Sequence, residues 1–205
     1  MSKIKLTKGE LKKQRDSLKQ FKRYLPTLQL KKQQLQMKIL EARRALDKKQ
    51  KELDSFLQSI EQWVGLLAEN QFDLKPCLIP AEVKTGFANI AGANVPIFEE
   101  VIYEDVEYDF YETPFWIDRG IVELRKMVQL NVEVEIIKEQ LRLLEKELRT
   151  TTQRVNLFEK VKIPECNDNI RKIRIYLGDQ QANAVGISKV AKKKVDAKAE
   201  EEILV

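Results

Sequence analysis

The chain has 205 residues, 34% of them charged and 43% hydrophobic, with a formal net charge of +5 and no histidine. The missing histidines remove the commonest general base and metal ligand, and no GxxxxGK[ST] or GxGxxG string occurs, so no catalytic, cofactor or metal site is expected. No apolar run approaches the roughly 20 residues of a membrane span, and the opening MSKIKLTKGE lacks the apolar core of a signal peptide, so a cytoplasmic protein without direct membrane insertion is expected.

The net charge conceals a segregation. Residues 1–50 hold 16 Lys and Arg against 4 Asp and Glu, residues 51–120 hold 4 against 14, and residues 121–205 hold 17 against 14. A basic end and an acidic middle imply different partners at each. Cys77 and Cys166 lie far apart without metal-like spacing and are expected to be free thiols in a reducing compartment.

In chain order, Thr7 and Glu10 form a capping box that opens a long helix. Leu11, Leu18, Leu25, Lys32, Ile39, Leu46, Leu53, Ile60 and Leu67 then step by sevens, with only Lys32 breaking the apolar series. The companion column reads Gln14, Phe21, Leu28, Leu35, Ala42, Lys49, Phe56, Trp63 and Asn70. This is the a/d seam of a coiled coil, and at about 1.5 Å per residue it predicts a rod of roughly 85 Å. Pro26 lacks a donor and crowds the carbonyl of Lys22, so a kink or break is expected near Arg23 to Leu25, although the heptad phase passes through it. The helix is expected to run to about Asn70 or Phe72, giving a first segment over 1–72.

From Leu74 to Pro114 the chain is punctuated by Pro76, Pro80, Gly86, Gly92, Pro96 and Pro114. The string VIYEDVEYDFY from Val101 alternates like a strand, and the preceding IPAEVKTGFANIAGANVPIF could supply its partner, so 73–116 is expected to be a compact lobe with a β-hairpin. Seven aromatics between Phe98 and Trp116 are interleaved with acids and form either a miniature core or an exposed docking surface.

Helical periodicity returns after Trp116. Met127, Val134, Leu141, Leu148 and Val155 step by sevens beside Leu130, Ile137, Leu144, Thr151 and Phe158. Pro164 is expected to interrupt this second segment, 117–188, and Ile170, Ile173 and Leu177 resume the stripe in shifted phase, which suggests a change of supercoil. The tail 189–205, with KVAKKK and DAKAEEE, is expected to be a frayed helix or disordered.

Two seams of similar length flanking one lobe predict a chain dominated by α-helix, folded back as an antiparallel two-helix coiled coil with the lobe at the turn. Facing residue numbers should sum to about 187, the basic half-helix and the tail should share one end, and the acidic lobe should cap the other. An intracellular coiled-coil scaffold would account for the seam. Nucleic-acid binding is disfavoured, because the basic residues are spread around the helix without a stacking set of aromatics.

Particular residues go further than periodicity. The run TTQRVNLFEKVKIPECNDNIRKIRIYLGD, from Thr151 to Asp179, resembles the C-terminal signature of the D-subunit family of V/A-type rotary ATPases: Arg154, Val155, Asn156 and Glu159 match its R-R-V-N-A-L-E string, and Pro164, Ile170, Ile173 and Leu177 match the proline and I-x-x-I-x-x-x-L stripe that follow. NIAGANVPIFE, from Asn89 to Glu99, is similar to the family's N-V-A-G-x-x-x-P-x-F segment, and LQLKKQQLQMKI, from Leu28, to its L-L-K-x-K-R-D-x-L motif, with KQQ where K-R-D is usual. The likeness spans almost the whole chain in order. It departs after Leu177, where GDQQANAVGISKVAKKK replaces an acidic, Arg-containing helix and an R-L-K-x-x-K string.

The resemblance implies the central stalk, or rotor axle, of an ATPase or ATP synthase, coupling nucleotide turnover to proton or other ion transport without hydrolysing anything itself. It implies as partners the catalytic and nucleotide-binding ring subunits of A and B type, the small F subunit of the stalk, and the subunit coupling the stalk to the membrane ring, which would make the chain peripheral to the membrane. Lys12, Lys13, Arg15, Lys19, Lys22 and Arg23, with Lys192, Lys193 and Lys194, would then face acidic loops of the ring through weak, screened contacts.

Overall fold

The computed structural model describes residues 4–65, 74–104 and 113–203, with side chains as far as Asp196. The elements are helix α1 (Lys8–Glu61), the single turn α2 (Lys75–Leu78), strands β1 (Pro80–Ile90) and β2 (Ala93–Tyr103), helix α3 (Ile117–Asn156), a π-helical segment (Leu157–Lys162) and helix α4 (Ile163–Ile203). The fold is a long antiparallel two-helix coiled coil with a small hairpin-containing lobe between the helices. It divides into two compact units, one of Met1–Gln29 with Gln153–Val205 and one of Leu30–Thr152.

In the second unit α1 lies against α3, and three ion pairs fix the direction: Lys31 with Glu147 at 2.5 Å, Arg43 with Glu145 at 2.6 Å and Lys49 with Glu133 at 2.7 Å. Their residue numbers sum to 178, 188 and 182, close to the expected 187. Leu35, Ile39, Leu141 and Leu144 are buried between the helices, and Leu46 and Leu148 pack around them. The Glu133 carboxylate raises the ammonium of Lys49 above its ordinary pKa. While Glu133 is ionised that pair therefore stabilises the fold up to about pH 10.4, and its contribution is lost as pH rises through the raised value.

Every described position of the expected α1 seam is buried or half-buried, while its neighbours outside the two columns are mostly exposed. Leu11, Leu18, Leu25, Leu28, Leu46 and Leu53 are half-buried, Leu35, Ile39 and Ile60 are buried, and Leu67 lies outside the described residues. Thr7 Oγ1 accepts from the backbone N–H of Glu10 at 3.2 Å, but Glu10 Oε1 accepts from Gln14 instead of reaching back, so half of the capping box forms. α1 continues as one helix through Pro26, without a break. Its α-helical bonding ends at Glu61, followed by a turn and a short 3-10 stretch to Gly65, earlier than the expected Asn70 or Phe72.

The hairpin differs most from expectation. The turn falls inside the stretch expected to supply a single strand, at Ala91 (φ 51°) and Gly92 (φ 82°), and β2 runs from there into the first three residues of VIYEDVEYDFY. Two consecutive positive φ angles are the type I′ geometry that matches the twist of paired strands. Asn89 Oδ1 accepts from the Gly92 N–H at 3.0 Å and supports an alanine in the left-handed region. β2 ends at Tyr103, and the remainder of VIYEDVEYDFY, 105–111, lies outside the described residues.

The lobe does not simply cap the coiled coil, because the hairpin lies back along it. Its tip residues Ala93 and Val95 are buried with Leu35, Ile39, Leu141 and Leu144, and Ala88 and Ile90 pack beside them. Small side chains on this inward face let the ribbon approach the helices closely. Gln140 Nε2 donates to the Pro96 carbonyl at 2.6 Å. At the root, Arg125 donates through Nε to the Cys77 carbonyl at 2.9 Å and through Nη2 to the Glu104 carbonyl at 3.3 Å, with its guanidinium 4.6 Å from the Tyr103 ring centroid. Tyr103 Oη in turn donates to the Arg125 carbonyl at 3.1 Å, and burial raises its pKa. From Arg125 to Leu144 α3 rises about 28 Å, a span that eleven-residue strands cover at about 3.3 Å per residue. A second core of Leu74, Cys77, Ile117, Ile121 and Leu124 closes the lobe beneath Trp63 and Trp116.

In the first unit, Phe21 and Phe158 meet with ring centroids 5.1 Å apart. Pro164 does not interrupt the helix there. The Ile163 N–H donates to the Phe158 carbonyl, five residues back, so one extra residue is accommodated ahead of a proline that has no N–H to give. This accounts for the shifted phase. Thr151 to Cys166, Val155 to Ile170 and Phe158 to Ile173 are each separated by two heptads plus one residue, and all six are buried or half-buried. α4 continues through the tail as far as Ile203.

The packing sets the response to substitution and deletion. Leu144→Ala should destabilise the chain by about 2–5 kcal/mol in urea unfolding, whereas Leu40→Ala, at an exposed α1 position, should change stability by less than about 0.5 kcal/mol. Deleting exposed Lys160 should remove the π-helical bulge and leave the seam in phase, with a melting temperature near that of the parent. Deleting exposed Glu135 from uninterrupted α3 should rotate all that follows by about 100° and abolish cooperative melting.

Candidate functional site

The basic half of α1 belongs to the first unit. Leu11, Gln14, Leu18, Phe21 and Leu25 turn toward the partner helix, which leaves Lys12, Lys13, Arg15, Lys19, Lys22 and Arg23 on the outside, all exposed. None has an ion-pair partner among the described residues. Lys192, Lys193 and Lys194 are also exposed, on a part of α4 where every residue from Gly178 to Asp196 is exposed, including Val185, Ile187, Val190 and Val195. Seventeen residues separate Lys192 from Ile175, about 25 Å along the helix, so the two basic sets share a unit without forming one patch.

Three arginines do come together. Arg15 from α1 and Arg171 and Arg174 from α4 line an open groove of about 520 Å³ whose remaining walls are Leu18, Asn167, Ile170 and Ile175. No carboxylate lines it. Arg171 and Arg174 were absent from the expected contact set, because they sit inside the I-x-x-I stripe and read as its solvated face. The usable signal was their spacing of three beside alternating isoleucines, which puts two guanidiniums on the flank of the seam.

Of the motif positions, Val155 is buried in the seam, while Arg154, Asn156, Glu159 and Pro164 are exposed around the π-helical segment. Cys166 is buried on α4, and burial raises its thiol pKa above the usual value. Cys77 is buried in the lobe, and both cysteines are free.

The aromatics of the lobe divide between the two expected roles. Phe98, Tyr103 and Trp116 are half-buried, Phe115 is fully exposed, and Tyr108, Phe110 and Tyr111 lie outside the described residues. The Trp116 ring covers Gly120, where an added Cβ would stand 3.1 Å from it. Trp63, Phe115 and Trp116 line a cleft of about 480 Å³ with Arg119 and Glu123 at its edge.

Among the described residues no group of His, Cys, Asp or Glu could hold a metal ion, and no helix is long and apolar enough to cross a membrane. The first unit presents exposed cations without ion-pair partners among the described residues, and the second a half-exposed aromatic cleft.

Known proteins are similar to this chain over most of its length. Residues 10–193 match the family of the ATP synthase D subunit. The D subunit of the V-type ATP synthase of Borreliella burgdorferi is 50% identical over 192 residues, covering 94% of this chain and 95% of that protein. The V-type ATP synthase D subunits of Chlamydia felis and Chlamydia muridarum are 36% and 35% identical, each over at least 95% of both chains. With the two-helix coiled coil, the intervening hairpin and the match over most of the chain in agreement, the chain belongs to the D-subunit family of ATP synthases.

Proposed function

We propose that this chain is the central rotor axle of a V/A-type ATPase or ATP synthase, a non-catalytic subunit that carries torque between a nucleotide-hydrolysing ring and a membrane sector that moves protons or another ion. The observation that carries the proposal is the antiparallel coiled coil with buried a/d packing, in a chain of the D-subunit family. Interdigitated seams resist twisting, which an axle needs and a flexible tether does not.

On this reading the basic unit enters the ring of catalytic and nucleotide-binding subunits, and the lobe meets the small F subunit and the subunit coupling the stalk to the membrane ring. The chain is held at the membrane only through those partners. An axle that touches equivalent ring interfaces differently at each angle favours a different nucleotide state at each, and this differential contact is the coupling free energy. Exposed lysines suit such a bearing, because screened charges on long side chains grip weakly and release, whereas an apolar bearing would trap one angle.

The chain alone should hydrolyse no ATP, and it should co-purify stoichiometrically with ring subunits that do. A chain that enriches no ATPase ring from its native extract would instead be a non-rotary scaffold. Reversing the charges of Lys12, Lys13, Lys19, Lys22 and Arg23 together with Lys192, Lys193 and Lys194 should lower ring assembly or coupled ATPase at least severalfold at low salt, with the difference shrinking as salt rises. Unchanged activity at low salt would rule the bearing role out.

A further inference from the structure

We propose that Arg15, Arg171 and Arg174 form a single seat for an acidic segment of the ring, and that this seat, rather than the surrounding lysines, supplies the contact that depends on angle. The inference rests on the axle reading and names the chemistry of its partner.

The three arginines are distinguished by lining one groove that no carboxylate shares. Arg43 pairs with Glu145, Arg142 with Glu139, and Arg125 spends its donors on carbonyls. Arg15, Arg171 and Arg174 have no ion-pair partner among the described residues, even though Asp168 lies only three residues from Arg171 on the same helix. Guanidiniums bind carboxylates through two parallel N–H donors in a fixed plane and are weakly hydrated, so three around one groove select paired carboxylates where lysines would select only negative charge.

The groove also has an apolar floor. Leu18 is half-buried, Ile170 is buried, and Ile175 is 56% exposed. A purely ionic partner would leave that surface wet, so the occupant that fits is a short peptide segment with an apolar side chain flanked by two or more carboxylates. By contrast, the neighbouring depression on α1, beside Lys19, Gln20 and Arg23, already contains the carboxylate of Asp16. The arginine groove is therefore the built cationic site of this unit. A ring of repeated subunits offers several equivalent segments, and one seat accepts one of them at a time, so its occupancy marks an angle.

The test uses the fully assembled complex. A photo-reactive residue substituted at Asn167, on the groove wall, should cross-link to a ring peptide carrying at least two Asp or Glu residues. R171Q/R174Q should abolish that cross-link and weaken ring binding roughly tenfold at low salt, while R171K/R174K, which keeps the charge but loses the fork, should fall between it and the parent. Lys192→Gln with Lys193→Gln and Lys194→Gln should leave the cross-link in place. A cross-link to a segment without paired acids, or parent-like binding by R171Q/R174Q, overturns the seat and leaves the axle reading standing. Failure of the parent chain to join any ring overturns both.

Discussion

Everything in this molecule depends on two distant stretches of chain excluding water from one another along a narrow strip. Leu35 and Leu144 are almost completely buried, and around them a two-helix layer becomes three-layered where the hairpin tip adds Ala93 and Val95. Much of the remaining α1 seam is half-buried, as a two-stranded coil leaves it, so the added hairpin layer brings further transfer free energy of about 25 cal/mol per Å² at this junction. Surface ion pairs such as Arg43 with Glu145 set direction and alignment at a gain of under about 1 kcal/mol each. The hairpin is thus a clamp on the coil, fastened at its root by Arg125 and at its tip by apolar packing.

The two units differ in what they leave unsatisfied. The second pairs its charges internally across the helices and turns its aromatics partly inward. In the first, Lys162 pairs with Glu165, but Lys12, Lys13, Lys19, Lys22 and Arg23 have no ion-pair partner among the described residues, and the arginine groove lies on one flank. That contrast fits a subunit of which one part must be rigid in itself while the other is completed by something outside the chain.

The seam was legible from residue identity alone, because a seven-residue period has a single geometric meaning: positions from Leu11 to Ile60 and from Val134 to Val155 turn inward as the spacing requires. The hairpin turn was not, since Ala91–Gly92 lacks the Asn-Gly or Asp-Gly signature and the flanking residues read as one continuous strand. Nor could the hairpin's return along the coil be read, because that position is set by packing between residues about fifty apart, such as Val95 and Leu144, rather than by any local pattern. Pro164 signalled a disturbance but not its form. The phase difference of two heptads plus one residue pointed to a single extra residue, and a π-helical turn absorbs one without breaking the ladder. In the arginine groove, Arg15 was expected at a contact surface, but its partners were hidden because a guanidinium on the flank of a stripe is indistinguishable in sequence from one that merely keeps a helix wet.

The stretch of α4 beyond Gly178 has a thermodynamic character of its own. Every residue from Gly178 to Asp196 is exposed, and the stretch contains Gly178 and Gly186, each about 1 kcal/mol less favourable than alanine in a helix. Nucleating and holding such a segment in water is marginal, so its backbone amides would trade protons with solvent nearly as fast as those of a free peptide, while amides beside Leu144 wait for global opening. Helical residues only some forty positions apart in sequence therefore stand at opposite extremes of the exchange timescale.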